Sequence, residues 1–353
     1  MLETLLNTFE DSTILVTAGA LVGLLFGAAA QHSRFCLRAA TVEVASGLFG
    51  PRLYVWLIAF SAAVLSVQLL VALDVLDVSQ ARPLAATGSL SGAVIGGLMF
   101  GCGMILARGC ASRLLVLSAT GNLRAFVTGL VLTLVAQASL RGVLSPVREG
   151  LAALWLVPGG EARDILVWLG LGPGVMVALA LGVLVGTAML AHRADVRLNR
   201  IAAAAGVGLA VGLGWWATYL ISQSSFDPVA ISSVTFTGPS TDTLMGLVNA
   251  AALPAGFGVG LVPGVFVGAA SMALITREIQ IERFGPDTPM ERYLIGACLM
   301  GFGSMLAGGC AVGAGMSGGS IFALTAWIAV FCMWLGAMGT HQVLARVQRP
   351  VLG

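Results

Sequence analysis

The stretch Ile95–Ala111, IGGLMFGCGMILARGCA, returns as Ile295–Ala311, IGACLMGFGSMLAGGCA, with 9 of 17 positions identical and the closing Gly-Cys-Ala in register. The retained positions include glycines and a cysteine, not only interchangeable aliphatics. The duplication therefore marks two equivalent places where backbones come close and a thiol is presented. A chain built twice from one plan, with a site shared between the halves, is the reading that follows.

Around this pair the composition fixes the class. Hydrophobic residues make up 58% of the 353 and charged residues 10%, with a mean hydropathy of +0.97, against roughly 25% charge in soluble domains. Apolar stretches of the ~20 residues needed to cross a bilayer core recur from end to end. The fold class is an all-α integral membrane protein. The N-terminal MLETLLNTFEDS lacks a basic n-region, so the first apolar segment is expected to be retained. Lysine is absent, and 18 Arg against 16 Asp and Glu leave a net charge of +2, which gives no nucleic-acid signal. The six cysteines, Cys36, Cys102, Cys110, Cys298, Cys310 and Cys332, contain no CxxC pair. Neither a metal site nor a dithiol motif is written, and no cofactor is expected.

About nine transmembrane helices are expected, at 13–30, 53–73, 90–107, 122–140, 165–191, 201–221, 244–276, 290–307 and 320–343. The seventh is too long for one plain helix and carries Pro254, Gly256, Gly258 and Pro263, which predict a break. Five shorter apolar pieces, Phe35–Phe49, Cys110–Ala119, Leu151–Val157, Val229–Phe236 and Cys310–Gly319, read as re-entrant segments. Non-helical backbone at membrane depth is tolerated only inside protein or beside a cavity. With the N-terminus outside, 14 Arg fall on the cytoplasmic side and 4 on the other. Discounting Arg108 and Arg113, which are expected at membrane depth, leaves 12 against 4. The positive-inside rule thus puts the N-terminus outside and the C-terminus in the cytoplasm. Residues 1–164 form a first half, 165–200 a linking helix with the basic loop HRADVRLNR, and 201–353 a second half. An odd linking span makes the two pseudo-twofold repeats inverted, an arrangement that gathers broken segments at the midplane.

The chemistry concentrates in LARGCASR and LAGGCAVG, where Gly109 and Gly309 are expected to turn the chain and Cys110 and Cys310 to point inward. Packing alone explains glycines well, since small residues mark helix contacts in membranes. It explains the repeated cysteine poorly, because Ser or Ala would pack equally. A third thiol, Cys36, lies in QHSRFCLRAA beside His32; the later TFTGPS aligns Thr237 with it at an offset of 201. Arg108, whose repeat equivalent is Gly308, is the stronger cationic candidate, followed by Arg113. Arg34 and Arg38 read as positive-inside anchors. Cys102, Cys298 and Cys332 read as packing residues.

At RFCLRAA, LARGCASR, LAGGCAVGAGMSGG and, more weakly, FTGP, the chain resembles the YeeE/YedE membrane protein family. The resemblance implies thiosulfate uptake across the bacterial cytoplasmic membrane, with Cys36, Cys110 and Cys310 lining a central path and passing the anion through S–H hydrogen bonds. It also implies an hourglass-shaped pseudo-twofold fold and a separate cytoplasmic sulfur-carrier partner. Arg108 and Arg113 depart from the small residues of simpler members. Two other functions stay open at this point: a membrane thiol enzyme accepting sulfane sulfur, and a transporter of another sulfur or selenium compound.

Overall fold

The computed structural model describes residues 11–225, 227–249, 256–283 and 290–347. Its long helices are α1 (Asp11–Ser33), α3 (Pro51–Ala72), α4 (Leu90–Leu106), α6 (Leu123–Arg141), α7 (Pro173–Arg193), α8 (Leu198–Ser224), α10 (Phe257–Ile275), α11 (Met290–Leu306) and α12 (Leu324–Val347). Shorter helices interrupt them: α2 (Leu37–Ala45), α5 (Ala111–Ala119), α9 (Thr237–Asn249) and a π-helical turn at Gly313–Gly318. Among the described residues, 8 helical spans are long and apolar enough to cross a membrane. α11 has 17 residues, about 25 Å at 1.5 Å per residue, and is slightly shorter than the ~30 Å hydrocarbon core.

Local chemistry sets the boundaries. Ser89 caps α4 by accepting from the Gly92 N–H at 2.8 Å, and Asn122 caps α6 by accepting from the Ala125 N–H at 2.9 Å. Pro51 and Pro173 occupy the first turns of α3 and α7, where a missing N–H costs nothing. The expected span 165–191 divides here. Ile165–Leu169 is a separate short helix ended by left-handed Gly170, and the span proper starts at Pro173. The expected span 244–276 also resolves into α9 and α10. Pro254 lies outside the described residues, while Pro263 sits within α10.

Two of the expected re-entrant pieces take other forms. Leu151–Val157 belongs to the surface: helix Ser145–Ala152 buries none of its residues, and Leu156–Val157 pairs antiparallel with Gly88–Ser89. Val229–Phe236 forms no helix. Its backbone is instead satisfied by side chains: Ser232 O accepts from Thr218 Oγ1 at 2.6 Å and Val234 O from Ser317 Oγ at 2.6 Å. The Ser232 N–H donates to Thr218 Oγ1 at 3.2 Å. Such partners are the condition for irregular backbone at depth.

Glycines let the helices touch along their backbones. Gly19, Gly23 and Gly27 of α1 face Gly260, Gly264 and Gly268 of α10, and a Cβ at any of the six would meet the opposing backbone. Between α4 and α11 the contacts are reciprocal. A Cβ at Gly96 would lie 2.5 Å from Gly303 O and 2.5 Å from Ala307 N, while one at Gly296 would lie 2.7 Å from Gly103 O and 2.6 Å from Ala107 N. Each member of the first set is 200 residues from its counterpart in the second. The wider packing obeys the same exchange: α1 packs on α10 as α8 packs on α3, α4 on α12 as α11 on α6, and α2 on α12 as α9 on α6. Buried side chains from Phe26 and Phe100 to Met300 and Met333 form one apolar cluster through both halves.

Candidate functional site

Three times the chain ends a long helix on a left-handed residue, advances two positions to a cysteine, and starts a short helical segment. The left-handed residues are Arg34 (φ 57°), Arg108 (φ 57°) and Gly308 (φ 78°), followed by Cys36, Cys110 and Cys310. The turn therefore lies one residue before Gly109 and Gly309, the positions expected to make it. Gly309 matters sterically, since a Cβ there would stand 2.8 Å from Ala314 N; at Gly109 the nearest atom is an ordinary 3.4 Å away. Cys36 is the N-cap of α2 and Cys110 the N-cap of α5, which places both thiols where helix amides point outward. Cys310 precedes the π-turn, and the Gly313 N–H donates to its Sγ at 3.4 Å. All three cysteines are buried and reduced.

The structure brings the Cys36 and Cys110 thiols close to one another. Cys110 Sγ also lies 3.3 Å from Ser112 Oγ. The guanidinium groups of Arg113 and Arg38 both act electrostatically on Cys36. Among the described residues, Arg38 Nε and Arg113 Nη1 are enclosed with no hydrogen-bond partner. Arg38, read from sequence as an anchor, is thus part of this group. Its signal was spacing: it lies two residues after a cysteine that caps a helix. Arg108 is exposed on its left-handed turn, and Arg34 is exposed in an ion pair with Glu278 at 3.1 Å. His32 is half-buried in the last turn of α1.

Thr237 is the first residue of α9 and is 1% exposed, and its Oγ1 has no partner among the described residues. The cap position itself is held by Phe236, whose carbonyl accepts from the Ser240 N–H at 2.8 Å. Phe236 packs tilted against Phe26 at 5.2 Å, and Phe26 meets Phe35 edge-on at 6.4 Å, so aromatic packing joins the Thr237 turn to the Cys36 turn. Beside Thr237 a cavity of about 270 Å³ opens between α5, α6, α9 and α10, with Ser118, Thr133, Ser240 and Thr243 among apolar walls.

A strap crosses the ends of α1 and α5. The Gln280 N–H donates to Thr120 O at 3.1 Å, the Glu282 N–H to Gly121 O at 3.1 Å, and Glu278 accepts from Gln31 Nε2 at 2.8 Å. Arg124 pairs with Glu282 at 2.9 Å. Partial burial pushes the Glu278 carboxyl up, but the hydrogen bond and charge of Arg34 and the hydrogen bond from Gln31 outweigh it, leaving the group below its usual range. Among the described residues no cluster of three or more His, Cys, Asp or Glu could hold a metal ion.

The sequence pattern of a family described as sulphur transport matches residues 32–339. Among curated relatives, a thiosulfate transporter TsuA of Spirochaeta thermophila is 29% identical over 348 residues, covering 94% of this chain and all of the relative. A thiosulfate transporter TsuA of Escherichia coli is 27% identical over 356 residues, covering 95% and 96%. The expectation drawn from the four cysteine and Gly-Pro motifs agrees with these likenesses.

Proposed function

Because the chain belongs to the sulphur transport family, we propose that it takes up thiosulfate across the membrane, passing the anion along Cys36, Cys110 and Cys310. Full-length likeness to two thiosulfate transporters carries the substrate. The contact of the Cys36 and Cys110 thiols at two helix N-termini supports the route. A thiol donates a weak hydrogen bond that is quickly exchanged, and a permeating anion must be held well enough to enter and loosely enough to leave. Helix N-termini add partial positive charge at the same places. Thr237 offers a hydroxyl with no partner among the described residues, and Gly309 lets the chain pass close to the Ala314 N–H beside Cys310. No thiol changes oxidation state in this reading, so the protein is not an enzyme.

The reciprocal packing between the halves supports two repeats, residues 1–164 and 201–353, and the odd linking span in 165–200 supports their inversion. The excess of Arg on one side supports an outside N-terminus, a cytoplasmic C-terminus and a place in the bacterial cytoplasmic membrane. A cytoplasmic sulfur-carrier protein would then receive the anion. Replacing Cys110 or Cys310 by Ala is expected to abolish thiosulfate-dependent growth of a transport-deficient host at unchanged expression. Undiminished growth with both replaced rejects the relay.

A further inference from the structure

Among the described residues, the cationic groups around the Cys36 and Cys110 thiols have no carboxylate partner. Arg38 is the second residue of α2 and Arg113 the third of α5, each at the helix end whose dipole already favours anions. Cations there are electrostatically misplaced unless a negative charge lies close by. The ion pairs found among the described residues are Arg34–Glu278, Arg124–Glu282 and Arg148–Glu149. Neither Arg38 nor Arg113 belongs to one, and each encloses an N–H without a partner. Arg108 and Arg52 add further positive charge around Arg38. A buried guanidinium N–H left unpaired carries a desolvation cost that a bound oxyanion would remove. The molecule sustains this twice beside one pair of thiols.

The second half has no such charge. The residues 200 positions on from Arg38 and Arg113 are Gly238 and Gly313. At Gly313 a Cβ would meet the Thr235 side chain, whereas the space beside Gly238 is open; neither position carries a charge. Two fixed positive charges on one side therefore have uncharged counterparts on the other.

We propose that Arg38 and Arg113, with the Cys36 and Cys110 thiols, form a one-sided seat for a doubly charged tetrahedral oxyanion, and so set selectivity by charge. The inference rests on the reading that these thiols line the path. Guanidinium forks donate to the oxygens, for which their planar geometry suits them. The thiols face the remaining, weaker acceptor. A monovalent anion would neutralise one Arg and leave the other unpaired, and the path around Cys310 offers it no second seat.

The test is thiosulfate uptake and equilibrium thiosulfate binding, measured on the purified full-length chain with thiocyanate as the monovalent competitor. Arg38→Gln and Arg113→Gln are each expected to raise half-saturating thiosulfate about tenfold or more, the equivalent of ~1.4 kcal/mol, while thiocyanate competition changes little. Arg113→Lys, which keeps the charge and loses the fork, should fall between. If Arg38→Gln does not elute as intact protein, Arg113→Gly carries the same expectation. Wild-type half-saturation in folded Arg113→Gln and Arg113→Gly overturns the seat. A wild-type chain that binds thiosulfate without transporting it overturns the transport reading instead, and the loss of binding in the Arg variants still decides the seat.

Discussion

Glu278 shows how one carboxylate ties two distant turns. It accepts from Gln31 and Arg34, so its folded-state pKa is held below the usual carboxylate value. A depressed carboxyl contributes stability above its unfolded pKa of about 4.3, and loses it as pH falls through the lower folded value. With Arg34 58% and Glu278 35% exposed, solvent screening limits the pair to about 1 kcal/mol. Glu278→Gln is therefore expected to lower detergent thermostability slightly and equally from neutral pH down to about pH 5, with the difference from wild type vanishing in stronger acid. A difference that instead grew on acidification would assign the wrong group.

At the same scale, sequence singled out Cys110 and Cys310 because Gly-Cys recurs and no packing argument requires a thiol, and Cys36 by its place after the first span. Arg108 stands out by contrast with Gly308, and the structure leaves it exposed on a left-handed turn. Arg38 reads as one anchor among many, since nothing in QHSRFCLRAA says that Cys36 lies near Cys110. Thr237 aligned with Cys36 by one residue too many: Phe236 takes the cap, and Thr237 the first helical position.

Elements were legible where apolar length decides and blurred where partners decide. Most long spans fall within a few residues of expectation, because ~20 apolar residues carry their own signal. Val229–Phe236 read as a half-helix since its composition is apolar. Thr218, Ser233 and Ser317, which bind that segment into an extended form, lie in other elements or act through distant carbonyls. The helix contacts give a sharper test. Gly264 of α10 faces the Ala20 backbone of α1, whereas a Cβ at Gly182 of α7 meets nothing within 4 Å. Gly264→Ala should destabilise by about 1–3 kcal/mol through overpacking, but Gly182→Ala should gain up to ~1 kcal/mol of helix propensity. Thermal aggregation of the purified variants followed by gel filtration reads both signs; equal behaviour of the two would mean that α1 and α10 do not meet this closely.

For the whole molecule, the decisive property is the relative direction of the halves. Sequence supplied the repeat and an odd linking span, and the packing exchange of α1, α2, α3, α4 and α6 with α8, α9, α10, α11 and α12 fits a twofold relation between them. Arg108 and Gly308 occupy the same exposed left-handed turn 200 residues apart. Inverted repeats put these turns on opposite faces; parallel repeats put them on one. In intact cells carrying Cys102→Ser and Cys298→Ser to reduce background, a membrane-impermeant maleimide should label Gly308→Cys directly and Arg108→Cys only after permeabilisation. The left-handed backbone costs Cys roughly 1–2 kcal/mol at either site, which lowers yield alike in both and leaves sidedness readable. Labelling of both from the same side would break the inversion, and with it the placing of Cys110 and Cys310 on opposed approaches to one path.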